Sequence, residues 1–184
     1  MYLILFLCVP LILALVFIKL TEKKTQRKHA RLLQSIIEGS ESAVPETAGF
    51  EIVMAQGAKD AVSTVKGYDR IQTGYSHLPN LIVRYREDEM YIMAVPCPSM
   101  TKMEVDPDFI LHITAGMLQT VKLGAMGKVA FYFKDSNQFF AMTVTDFAIP
   151  LATQPTEHKN FKPYIKEFAR KVNGNTQEPD NGAI

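Results

Sequence analysis

The chain has 184 residues, 47% of them hydrophobic, and its basic and acidic side chains nearly cancel at a net charge of +1. That length supports one domain with a real core and leaves no comfortable room for two. The charge balance excludes the domain-wide basic field of a nucleic-acid binder, and two cysteines, Cys8 and Cys97, exclude a disulfide framework of the secreted kind.

Residues 1–20 read as a transmembrane anchor. No charge occurs from Met1 to Ile18, about 18 residues and roughly 27 Å as a helix, close to the hydrocarbon thickness of a bilayer. Nothing basic precedes the apolar run, and Ile18-Lys19-Leu20 is no small-x-small cleavage site, so an uncleaved anchor is expected rather than a signal peptide. Lys19, Lys23, Lys24, Arg27, Lys28 and Arg31 follow, against the single acid Glu22. This one-sided flank predicts a single-pass protein of the cell membrane, N-terminus outside and body cytoplasmic. The bilayer would hold residues 1–20, and anionic lipid head groups would meet the basic flank.

Residues 21–38 read as a basic juxtamembrane helix in which Ala30, Leu33 and Ile37 form a stripe with Leu32 and Ile36 beside it. Gly39 is a stop signal, and residues 39–49 have the composition of a flexible linker. Residues 50–172 carry the patterning of a globular α+β domain, and the polar, turn-rich residues 173–184 are expected to be a disordered tail.

Within the domain, Phe50 to Ala55 reads as a short strand and Ala58 to Lys66 as a turn or two of helix. Leu81 to Arg86 and Met90 to Val95 flank Glu87-Asp88-Glu89 as a hairpin. Met103 and Val105 alternate with Lys102 and Glu104, and Phe109, Leu111 and Ile113 alternate with Ile110, His112 and Thr114. Leu118 to Leu123 is a weaker strand that ends at Gly124 to Gly127. A second hairpin carries Val129, Phe131 and Phe133 out and Phe140, Met142 and Val144 back, around Asp135-Ser136-Asn137. Phe161, Ile165, Phe168 and Val172 then mark an amphipathic helix, with Asn160 as its cap and Pro163 in its first turn.

About seven strands followed by one capping helix resembles the pleckstrin-homology-like fold of small bacterial domains, over roughly Leu81 to Val172. The resemblance is one of element order. It implies a mainly antiparallel barrel or sandwich behind the N-terminal transmembrane helix. Lipid-binding members of that family carry basic residues in the first hairpin loop, where this chain has Glu87-Asp88-Glu89. The resemblance therefore implies a protein partner rather than a phosphoinositide.

No catalytic set, cofactor motif or metal-ligand spacing emerges. His29, His77, His112 and His158 have no His, Cys or acid at ligand spacing, and no Gly-Lys-Ser/Thr follows Gly57, Gly67 or Gly74. Cys97, between Pro96 and Pro98, has no local base. Candidate partner-binding residues are Tyr68, Arg70, Tyr75 and His77 in the polar-aromatic loop from Gly67 to Asn80, with Arg84 and Arg86 on one strand face. Met100, Met103, Met117 and Met126 are candidates to line an adaptable groove. The expected function is a membrane-tethered binding or scaffold module for an unidentified protein partner, without nucleic acid. The alternative is a small-ligand or enzymatic site near the Tyr68–Asn80 loop, Cys97 and His112.

Overall fold

Residues 81–85 and 92–95 are apolar at nearly every position, so both faces of the strands they form must be covered. The computed structural model describes residues 2–57, 80–96, 103–134, 139–149 and 152–175. Helix α1 spans Tyr2–Ala43. It is followed by strands β1 (Glu51–Gly57), β2 (Asn80–Arg86), β3 (Glu89–Val95), β4 (Ile110–Thr114), β5 (Leu118–Leu123), β6 (Lys128–Phe133) and β7 (Phe139–Thr143). A short pair, β8 (Phe147–Ile149) and β9 (Ala152–Thr153), leads into helix α2 (Pro155–Asn175). The seven main strands form one antiparallel sheet in the order β4-β3-β2-β1-β7-β6-β5.

Strand parity divides the core between the two faces. Val53, Ala55, Leu81, Val83, Tyr85, Met90, Ile92 and Ala94 face a main core that holds Phe161, Ile165, Phe168 and Val172 of α2. The intervening Met54, Ile82, Met93 and Val95 face a second core built with Ile36, Val44 and Met103, against which Leu32, Leu33 and Ile37 pack. One helix thus covers each face, and burying each large aliphatic or aromatic side chain stabilises the fold by about 1.5–3 kcal/mol.

The expected α2 stripe is present, with all four residues at 5% exposure or less. The helix starts earlier than expected: Pro155 opens it, Asn160 lies inside it and Pro163 falls within it on the solvent side. The β2–β3 and β6–β7 hairpins form as their alternation predicts, β2–β3 around a two-residue turn with Glu87 at a positive φ of 49°. Leu118–Leu123 is a full strand, whereas Met103 to Asp106 is irregular and Met103 is buried under α1. The tip of β5–β6 needs its glycine. Gly127 has φ 78°, and a Cβ there would lie 1.9 Å from the Val144 carbonyl oxygen.

Two parts of the expected architecture are corrected. Among the described residues no helix is long and apolar enough to cross a membrane, so an N-terminal transmembrane helix is not part of the supported fold. From Thr21 onward the exposed positions described on α1 are polar or charged apart from Ala30, and its apolar residues Leu32, Leu33, Ile36 and Ile37 are spent on the sheet. The barrel or sandwich is replaced by a single sheet in which β1 joins the β2–β4 and β5–β7 groups. The segment that reads as a flexible linker also differs. Residues 39–43 continue α1, Pro45–Thr47 form a 3-10 turn, and Ser40, Val44 and Thr47 are buried. The expected helical turn at 58–66, the hairpin tip at 135–137 and residues 176–184 of the expected tail lie outside the described residues. Residues 173–175, read as the start of that tail, instead continue α2, with the Asn173 side chain bound to Val121 and Thr120.

Candidate functional site at an open strand edge

Strand β1 is paired along its whole length on one side only. Glu51 to Gln56 run opposite Tyr85 to Asn80 of β2, but only Gln56 and Gly57 meet β7 on the other side. Beyond that point β7 has ended and the chain turns away through Thr145 and Asp146. The gap at Met54 is filled by one side chain, Gln154. Its Oε1 accepts the Met54 N–H at 2.8 Å, and its Nε2 donates to the carbonyls of Met54 at 2.7 Å and Thr145 at 2.8 Å. A carboxamide offers an acceptor oxygen and two N–H donors, which match the missing rung of a β-ladder and its neighbour. Gln154 is 3% exposed, so these bonds form away from water and leaving them unmade would be costly.

The neighbouring bonds hold this plug in place. The Gln154 N–H donates to the Asp146 carbonyl at 2.7 Å, and the His158 N–H donates to the Gln154 carbonyl at 2.9 Å. The His158 Nδ1 donates to the Asp146 carboxylate at 2.5 Å, and that bond holds the Asp146 carboxyl below the usual carboxylate range. The first turn of α2 is thereby fixed to the chain that leaves β7.

At Ile52 the seam is open. Backbone groups alternate sides along a strand, so Ile52 points its N–H and C=O the same way as Met54, away from β2. No described residue pairs with it there. A groove of about 290 Å³ lies along this edge, with Leu33 and Ile37 of α1 on one flank and Thr156, Glu157 and Asn160 of α2 on the other. The two flanks differ chemically. The α1 side is aliphatic, with Ile52 and Met54 joining Leu33 and Ile37. The α2 side carries Glu51 and Glu157, and both charged residues of the lining are carboxylates. Glu51 Oε2 accepts the Tyr85 hydroxyl at 2.8 Å, and burial followed by that bond pushes the Tyr85 hydroxyl well above its usual range.

Of the residues singled out from sequence, Arg84 is the one whose environment is most fully defined. It is 1% exposed and bound within the fold: Nε to Ser40 Oγ at 2.8 Å, Nη1 to the Thr47 carbonyl at 2.9 Å and Nη2 to the Ile37 carbonyl at 3.0 Å. It staples the end of α1 to the sheet and is closed to any partner. Arg86 is exposed, 4.3 Å above the Phe50 ring and 3.7 Å from Glu89, the local ion pairing its neighbours imply. His112 stacks on Tyr91 at 4.1 Å between ring centroids and meets Glu89 at 3.2 Å. Tyr68, Arg70, Tyr75, His77 and Cys97 lie outside the described residues, as does Met100. Met117 and Met126 are exposed and Met103 is buried, and none of the three lines the groove at the β1 edge. On α1, Lys19, Lys24, Arg27, Lys28 and Arg31 are exposed, and the side chain of Lys23 is outside the described set. Among the described residues no group of three or more His, Cys, Asp or Glu is arranged to hold a metal.

Sequence reasoning does not single out Gln154, Glu157 or Ile52. The usable signal is a mismatch of strand lengths: β1 has seven residues, β7 has five, and the short β8–β9 pair in the return to α2 bonds to itself rather than to the rest of β1. Comparison with known proteins finds no matching family model, no matching curated protein and no matching solved structure.

Proposed function

We propose that the chain is a binding module that docks a protein partner in the groove between α1 and α2. The observation that carries the reading is the open β1 edge at Ile52, flanked by an aliphatic wall and an acidic one. At about 290 Å³ the groove is near the lower bound of small-ligand sites, roughly 300–1,000 Å³, and it suits a short inserted segment. The chain keeps the element order of the pleckstrin-homology-like resemblance, strands followed by one C-terminal helix, although its seven main strands form a single sheet rather than a barrel or sandwich. Its first hairpin turn is acidic, and Asp88 there is tied to Lys171 at 2.7 Å, which favours protein over phosphoinositide as the partner class. The exposed basic positions of α1 support contact with anionic head groups at the cytoplasmic face of the cell membrane, worth about 1 kcal/mol for each cation near the surface.

Two variants of the full chain test the partner site. Leu33→Glu puts a charge on the aliphatic flank, and Thr156→Trp fills the groove from an exposed helix position. Quantitative co-purification is expected to lose its wild-type partners by about ten-fold or more with either variant, a change of about 1.4 kcal/mol, while Met126→Ala on a remote turn keeps them. Partner recovery equal to wild type with a folded Thr156→Trp would contradict the assignment.

A further inference from the structure

We propose that the groove takes its partner by strand addition, as an extended segment that pairs with the free edge of β1 and alternates apolar with basic residues. The proposal rests on the binding-module reading and adds the chemistry of the ligand.

Three observations converge on it. The backbone N–H and C=O of Ile52 face the groove, and an exposed strand edge is a template for another strand. Gln154 already makes the equivalent bonds at Met54, so the geometry of the missing rung is built one step away. The flanks come from opposite faces of the sheet, α1 from one and α2 from the other. Successive side chains of an added strand would point alternately to those two flanks. Those directed to α1 meet Leu33, Ile37, Ile52 and Met54 and must be apolar. Those directed to α2 meet Glu51 and Glu157, and a lysine or arginine there complements two carboxylates with no cation in the lining. Direct β1–β7 pairing at Gln56 and Gly57 and the Gln154 plug at Met54 close one end of the groove, so the added strand is short.

The test uses the full chain and a short acetylated peptide of alternating valine and lysine, with a valine–glutamate peptide and a backbone N-methylated valine–lysine peptide as comparators. Amide exchange at Ile52 is expected to slow by about ten-fold or more with the valine–lysine peptide alone. Glu51→Gln combined with Glu157→Gln should weaken that peptide by a similar factor, since the carboxamide oxygen that replaces the Glu51 carboxylate can still accept from Tyr85. Equal binding of the N-methylated peptide, or equal binding of the glutamate peptide, overturns the proposal. So does self-association of the chain that Thr156→Trp abolishes, because the groove would then belong to a second copy. If Thr156→Trp loses its partners while no peptide slows Ile52, strand addition falls and the binding-module reading stands. If partner recovery is also unaffected, both fall.

Discussion

Replacing Arg84 with methionine is expected to destabilise the fold by about 2–4 kcal/mol, because hydrogen bonds from a charged donor are worth about 1.5–3 kcal/mol each and the loss of three is partly offset by removing a buried charge. The guanidinium is 1% exposed and donates to Ser40 Oγ, the Thr47 carbonyl and the Ile37 carbonyl. Methionine fills much of the volume and supplies none of the donors, so the Ile37 and Thr47 carbonyls lose their charged partner and keep only the Ser40 hydroxyl at 2.7 Å and the Phe50 N–H at 3.0 Å. A cation is also favoured at that end, where the helix dipole is negative. The pair with Glu41, at 3.4 Å, adds little because Glu41 is 51% exposed. Arg84→Lys should recover only part of the loss, because one ammonium cannot reproduce a planar fork aimed at three acceptors. Denaturant unfolding of both variants gives the measurement, and a loss below about 1 kcal/mol for methionine would contradict the staple. Because Ile37 also lines the groove, the same substitution is expected to weaken partner binding at one remove.

The second large effect is expected at Gln154. Gln154→Met keeps the size of the side chain and removes its amide, leaving the Met54 N–H and C=O unpaired in a buried seam and the part-buried Thr145 carbonyl without its Gln154 donor. Each orphaned group costs about 1–3 kcal/mol, and partial access to water through the open groove lowers the sum, so a loss of about 2–4 kcal/mol is expected. Gln154→Glu separates hydrogen bonding from size. Its carboxylate still accepts from the Met54 N–H but meets two carbonyls with no proton to offer, and it should be at least as damaging at neutral pH. A melting temperature for Gln154→Met equal to wild type would mean that the seam closes without the plug.

Much of this fold is legible in the sequence where one face is apolar and the other polar. The Phe161-Ile165-Phe168-Val172 stripe and the Val129–Val144 hairpin are of that kind, and both form. Legibility fails where the requirement is tertiary. Leu32, Leu33, Ile36 and Ile37 form a visible stripe, but a nearby basic run and an apolar N-terminus draw the reading toward a membrane, whereas these residues pack on β1, β2 and β3. The apolar runs Leu81-Ile82-Val83 and Ile92-Met93-Ala94-Val95 hold the missing clue, since burial on both faces demands a second covering helix. Gly39 reads as a stop, yet α1 continues to Ala43, because docking on the sheet outweighs a propensity cost of about 1 kcal/mol. Ser40 and Thr47 look like linker residues until Arg84, far away in sequence, is seen to bind them. Gln154 leaves no periodic trace at all: its partner Met54 is 100 residues earlier, and the bond exists only because β7 ends short of it.

The most direct measurement is residue-resolved amide hydrogen exchange along β1 in the free, full-length chain. If Gln154 closes the seam at Met54 and leaves the edge open at Ile52, the Met54 amide should exchange at least about a hundred-fold more slowly than the Ile52 amide. Gln154→Met should then erase that difference by speeding Met54 alone. Equal, strong protection of Ile52 and Met54 in the free chain would mean that the edge is already paired, and the groove would have no strand left to offer a partner.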